Sequence, residues 1–135
     1  MPVDLEIVSP ERLLLSRPVD MVVIPDAEGE LGVLVRHAPM IVLLRGGTIR
    51  LYDGGQVTER LFVSGGFAEI TPARVTVLAD EVFAPAALSR AEGERRLVAA
   101  QAEYDGANKM DMVAVDAAMA RLQSARAMIA EAEAA

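Results

Sequence analysis

Up to about residue 84 the apolar residues fall in short runs rich in Val, Leu and Ile. The runs break at turn residues about every 8–12 positions, which is the rhythm of strands. Leu5 to Val8 ends at Ser9-Pro10. Arg12 to Ser16 and Val19 to Ile24 flank Arg17-Pro18; proline has no N–H to give a ladder, so Pro18 predicts an edge or a bend. Leu31 to Val35 leads into Arg36-His37-Ala38-Pro39, followed by Met40 to Leu44, Gly46-Gly47 and Thr48 to Tyr52. Asp53-Gly54-Gly55 between Ile49–Tyr52 and Val57–Val63 predicts a hairpin, because the glycines supply the positive φ of a tight turn. Phe67–Ile70 and Arg74–Ala79 flank Thr71-Pro72-Ala73 in the same way. Gly65-Gly66 predicts a bulge, or a bend where two backbones come close. Together these runs predict an antiparallel β-sandwich, or flattened barrel, over residues 1–85.

Past Pro85 the period lengthens to that of helices. Ser89-Arg90-Ala91-Glu92 reads as a capping box, with the Ser89 hydroxyl accepting from an orphan amide and Glu92 reaching back. Leu97, Ala100 and Tyr104 then share one helical face. Gly106-Ala107-Asn108 predicts a stop through the left-handed conformation that Gly and Asn tolerate. Asp111 is an acceptable N-cap for a second helix, along which Met112, Val115, Met119, Leu122 and Ile129 form the expected buried stripe. Residues 86–135 are therefore read as an antiparallel two-helix hairpin, packed mainly through Ala and Met and able to detach.

Composition narrows the function. The 135 residues contain no cysteine, which excludes disulfides and thiolate metal sites and suits a reducing compartment. The opening Met1-Pro2-Val3-Asp4-Leu5-Glu6 is acidic where a secretory signal would be basic, and no apolar window reaches the roughly 20 residues of a membrane helix. A soluble, unexported chain is expected. The net charge of −7, with −5 in residues 1–85 and −2 beyond, opposes nucleic-acid binding and direct lipid insertion. Yet 53% of the residues are hydrophobic and only 4% aromatic, so apolar surface awaiting a partner is expected.

Catalytic chemistry finds little support. His37 is the single histidine, and none of Ser9, Ser16, Ser64, Ser89 and Ser124 lies in a G-x-S-x-G elbow. Asp26, Glu28 and Glu30 lack the spacing of a calcium loop, and Gly46-Gly47-Thr48 has no lysine to make a P-loop. Pro39 holds Ala38 extended, so His37 sits on a stiff connection between strands, a position suited to recognition.

Gly29-Glu30-Leu31-Gly32-Val33 followed by His37-Ala38-Pro39 resembles the hallmark of the epsilon subunit of bacterial F-type ATP synthase. Val63-Ser64-Gly65-Gly66-Phe67 to Ile70, then Val75 to Asp80, is similar to that family's second signature, and Asp4 to Glu11 also fits. The resemblance implies a non-catalytic rotor component without a cofactor, peripheral on the cytoplasmic side of the inner membrane. In the family the sandwich binds the gamma subunit on one side, rests on the c-ring, and helps transmit proton-driven rotation to the catalytic head. By position, His37, Ala38, Pro39, Met40, Ile41 and Val42 would face gamma, and Glu28, Gly29 and Glu30 the polar loops of the c-ring.

The resemblance also implies an arm that folds against the sandwich or extends to the alpha/beta head and inhibits ATP hydrolysis. Some members bind ATP at this arm through an apolar residue, Asp, two variable residues, Arg and a small residue. Here the stretch is Leu88-Ser89-Arg90-Ala91-Glu92-Gly93, with Ser for Asp and Glu92 where Arg would meet phosphate. Inhibition is expected to be weak, since the second helix offers only Arg121 and Arg126 and ends with Glu131 and Glu133. Two other classes stay open on the residues alone: a sensor with nucleotide between sandwich and hairpin, and an enzyme using His37 with an acid.

Overall fold

The computed structural model describes residues 2–134. Ten strands come first: β1 (Val3–Val8), β2 (Leu13–Val19), β3 (Met21–Asp26), β4 (Gly29–Val33), β5 (Met40–Leu44), β6 (Gly47–Asp53), β7 (Gln56–Val63), β8 (Gly66–Ile70), β9 (Arg74–Ala79) and β10 (Val82–Phe83). A 3-10 turn at Pro85–Ala87 leads to α1 (Arg90–Gly106) and α2 (Met112–Ala134). The strands run in the order β10-β7-β6-β3-β5-β8-β9-β1-β2, with β4 paired to β3. β3 is the crease of this strip: Met21–Val23 pair with β6, Val22–Asp26 with β4, and Asp26 meets Leu44 of β5. The strip folds there into two layers with one core between them.

That core follows the strand period. Val3, Leu5 and Ile7 of β1, Val22 and Ile24 of β3, Ile49 and Leu51 of β6, and Val75 and Val77 of β9 are all fully buried. Alternate positions of β1, β6 and β9 turn outward, as the pleat requires, whereas β3 is buried on both faces from Val22 to Pro25. Each such side chain contributes about 1.5–3 kcal/mol on burial. Gly54 and Gly55 take φ of 61° and 77° in the β6–β7 turn. Gly66 takes φ 128°, and a Cβ there would lie 2.1 Å from the Leu78 carbonyl oxygen. The close backbone approach expected at Gly65-Gly66 is present.

Several expectations are corrected. The edge expected at Pro18 is present, but no break divides the runs there: β2 continues through it to Val19, with Pro18 opposite Asp4. It is tolerated because β2 ends the strand order and has an unpaired side. The sandwich is not wholly antiparallel, since β1 and β9 pair in parallel. β4 stops at Val33; the Leu34 carbonyl accepts from the His37 N–H at 3.3 Å, and Arg36 takes φ 68°. Gly106 is absent from the positive-φ residues, and Ala107 ends α1 in an extended conformation at φ −72°. Lys109 Nζ covers the freed carbonyls of Tyr104 and Ala107 instead.

In the helices the Ser89 hydroxyl caps α1 by accepting from the Glu92 N–H at 3.2 Å. Asp111 caps α2 by accepting from the Ala114 N–H at 3.2 Å. Only part of the expected stripe on α2 is right. Val115 and Leu122 are buried, but their companions are Ala118, Ala125 and Met128; Met112 and Met119 are exposed. The small alanines let the helices approach closely, and a Cβ on Gly93 of α1 would stand 2.7 Å from Ile129 Cγ1.

Candidate functional site

The outer face of the layer β5-β8-β9-β1-β2 carries an apolar row. The register sets Leu43 opposite Phe67, Phe67 opposite Leu78, Leu78 beside Val8, and Val8 opposite Leu13. Ile41, two residues before Leu43, lies opposite Glu69. Exposure is 71% for Ile41, 67% for Leu43, 44% for Phe67 and 54% for Leu13, far more than single strand positions over a core would keep. A polar border surrounds the row: Glu69 is exposed, and Arg74 pairs with Glu6 at 2.9 Å. An apolar centre with a polar rim is the anatomy of a protein interface.

The sequence-predicted residues fall unevenly on this face. Met40 and Ile41 are exposed, whereas Val42 is only 5% exposed and belongs to the main core. Val42 therefore offers no side chain to a partner. Leu43 is hidden because Met40 to Leu44 is uniformly apolar; only the period of two separates inward Val42 and Leu44 from outward Ile41 and Leu43, and Phe67 joins them only through the β5–β8 register. His37, Ala38 and Pro39 continue from the start of β5. The His37 ring Nδ1 lies 2.8 Å from the Ala38 carbonyl oxygen, and Ala38 and Pro39 are exposed. Among the described residues no three of His, Asp and Glu gather as a metal site.

Glu28 closes the β3–β4 turn with Ala27, and Gly29 and Glu30 open β4. The Glu28 N–H donates to Asp26 Oδ1 at 3.1 Å, leaving the Glu28 side chain exposed. Glu30 is bound at 2.7 Å to Arg50, which also donates to the Tyr52 hydroxyl at 3.3 Å. The hydrogen bond with Tyr52, and then Glu30, raise the Arg50 pKa. The turn is thus less negative than its sequence reads.

Between sandwich and hairpin lies a cleft of about 830 Å³ that contains Arg45, Arg96 and Arg121 together with Asp80, Glu81 and Glu103. Its cations are largely engaged. Arg96 donates to both Glu81 oxygens, at 2.6 and 3.0 Å, and to Glu92 at 2.8 Å, while its guanidinium sits 5.4 Å from the Phe83 ring centre. Arg121 pairs with Glu103. The Arg96 hydrogen bonds hold the Glu81 carboxyl below its ordinary range against the opposing effect of burial. Arg96, then Arg95, do the same for Glu92. The capping-box expectation is only half met, because the Glu92 carboxylate is turned toward these two arginines.

Residues 2–85 match the family described as ATP synthase, Delta/Epsilon chain, beta-sandwich domain. The chain is 66% identical over 125 residues to an ATP synthase epsilon chain of Granulibacter bethesdensis, covering 93% of each. It is 49% identical over 129 residues to that of Gluconacetobacter diazotrophicus, covering 96% of this chain and 92% of the relative. Among solved structures, a chain of the Euglena gracilis mitochondrial ATP synthase OSCP/F1/c-ring assembly superposes with TM-score 0.73 at 22% identity. That match covers 96% of this chain and 80% of the other. A chain of the Tetrahymena thermophila central stalk/c-ring assembly gives 0.64 at 13% identity, covering 98% and 97%. These distant likenesses establish the fold, and the sequence relatives establish the family. With its sandwich matched along residues 2–85 and close relatives spanning nearly its whole length, the chain belongs to the ATP synthase epsilon-chain family.

Proposed function

We propose that this non-catalytic subunit works in the central stalk of a bacterial ATP synthase, at the cytoplasmic face of the inner membrane, coupling proton flow to ATP synthesis. The apolar row carries the reading. Ile41, Leu43 and Phe67, with Met40 and the His37-Ala38-Pro39 turn beside them, form the face that docks gamma. Val42 contributes from beneath by holding β5 in place. The Glu28-Gly29-Glu30 tip of the β3–β4 hairpin faces the c-ring, chiefly through Glu28, since Glu30 already holds Arg50. Among the described residues no helix is long and apolar enough to cross a membrane, in keeping with a peripheral position. Residues 1–85 are the docking unit and residues 86–135 the arm that can reach the alpha/beta head.

Binding to purified gamma tests this. Leu43→Glu and Phe67→Glu should each weaken the complex by roughly 10–100-fold, the cost of losing one buried apolar side chain and introducing an unpaired charge. A chain ending at Pro85 should still bind. Unchanged affinity in both charge variants, with strand content preserved by circular dichroism, refutes the assignment of this face.

Regulation of hydrolysis by the arm is weak in this reading. Arg121 is paired with Glu103 and Arg90 with Glu133, leaving few cations to meet an acidic partner. Deleting residues 86–135 should raise hydrolysis by the assembled enzyme less than the roughly fivefold at which allosteric coupling usually begins. A larger rise contradicts it. The sensor reading gains nothing from the cleft, whose Arg96 and Arg121 are committed to Glu81, Glu92 and Glu103.

A further inference from the structure

The hairpin and the sandwich meet over a narrow area, and one contact in it is unusually specific. The Gln123 side chain of α2 spans the backbone of Gly46, between β5 and β6. The Gly46 N–H donates to Gln123 Oε1 at 2.8 Å, and Gln123 Nε2 donates to the Gly46 carbonyl at 2.7 Å. Both polar groups of one buried residue are thus satisfied by one side chain from a distant element, which a buried backbone group requires. Only glycine permits it. A Cβ on Gly46 would lie 2.5 Å from Ser124 Cα, 2.7 Å from its Oγ and 2.8 Å from its Cβ. All three atoms belong to α2, and none to the sandwich.

Gly46 does not adopt positive φ, so its own backbone conformation is open to any residue. The glycine is required by the docked helix alone. This sets it apart from Gly66, whose φ and whose neighbours within the sheet both demand glycine. We propose that Gly46 and Gln123 form a releasable latch: a glycine seat on the sandwich, matched to one side chain of α2, that fixes the docked position of the hairpin and can be opened without disturbing the sheet. Its neighbour Arg45 is anchored separately, through its N–H to the Pro25 carbonyl at 3.0 Å, so the seat keeps its shape when the helix leaves. This inference concerns how the arm is held and does not depend on which partner covers the outer face of the sandwich.

Amide hydrogen exchange on the full-length chain tests it, read separately for the Gly46 amide, for α2 and for the strands. In Gly46→Ala, exchange across residues 117–128 should rise at least about tenfold, while β6–β7 and β8–β9 keep their protection. In Gln123→Glu at neutral pH the carboxylate faces the Gly46 carbonyl in place of a donor, so α2 should be released and the Gly46 amide should lose protection. The double variant should exchange no faster in α2 than Gly46→Ala alone, since both changes open the same contact. Unchanged α2 exchange in either single variant overturns the latch. So does a rise shared equally by the strands in Gly46→Ala, which would make Gly46 a residue of the sheet. Additive release in the double variant overturns it too.

Discussion

Gly66 and Gly106 show how differently two glycines can matter. Gly66 combines φ 128° with a Cβ position 2.1 Å from the Leu78 carbonyl oxygen and 2.9 Å from Ala79 Cα. An alanine there is strained by its backbone and also forces β8 away from β9. Each effect costs on the order of 1–3 kcal/mol. Gly66→Ala should therefore lower the thermal midpoint by roughly 5–15 °C. Gly106 is the last residue of α1, has negative φ, and has open space where a Cβ would go. Gly106→Ala should leave stability unchanged or raise it by up to about 1 kcal/mol, because alanine loses less chain entropy in a helix. Thermal unfolding of both variants checks the pair. A harmless alanine at Gly66, or a costly one at Gly106, contradicts the account of each.

The helices test how packing selects among apolar residues of one amphipathic segment. Leu122 of α2 is buried, whereas Met119, three residues earlier, is 53% exposed. Leu122→Ala should cost about 2–5 kcal/mol. Met119→Ala should stay within about 0.5 kcal/mol, as surface changes do. Near-equal losses in chemical denaturation would mean that the stripe is drawn wrongly. This element also shows what the sequence made legible and what it did not. Strand runs, the hairpins at Asp53-Gly54-Gly55 and at Thr71-Pro72-Ala73 and both helix caps are readable, because each rests on a local preference for a turn, a cap or a period. The buried stripe was misread because methionine outranks alanine in hydrophobicity, while close helix packing at Gly93 favours the small Ala118 and Ala125. The apolar row was half legible. Ile41 was in the predicted segment, but Leu43, Phe67, Leu78, Val8 and Leu13 come together only through a register spanning five strands, one pair of them parallel, which no local pattern encodes.

For the molecule as a whole, the joint between sheet and hairpin carries the pH dependence. Glu81, just before β10, binds Arg96 of α1 through two hydrogen bonds, and Arg96 also holds Glu92 and lies over Phe83. The carboxyl pKa of Glu81 is lowered first by the Arg96 hydrogen bonds. A carboxyl depressed on folding adds stability that is complete above its unfolded pKa, about 4.5, and is lost as pH falls through the lower folded value. Glu92 is depressed too, by Arg96 and then Arg95, but all three lie on α1, so its protonation bears on the helix and not on the joint; Arg96 stays charged throughout. The hairpin should thus be docked and pH-insensitive from about pH 5 to 8, then loosen in acid before the sheet melts, since the aliphatic core carries no titrating group. Glu81→Gln should weaken docking at neutral pH and flatten this acid transition, because the pair then has one less carboxylate to protonate. A distance label between α1 and the sandwich, followed from pH 7 to pH 3, reads the opening directly. If wild type and Glu81→Gln opened at the same pH with equal amplitude, the Glu81–Arg96 tie would have no part in holding the two halves together. The joint would then rest on the Gly46 seat alone.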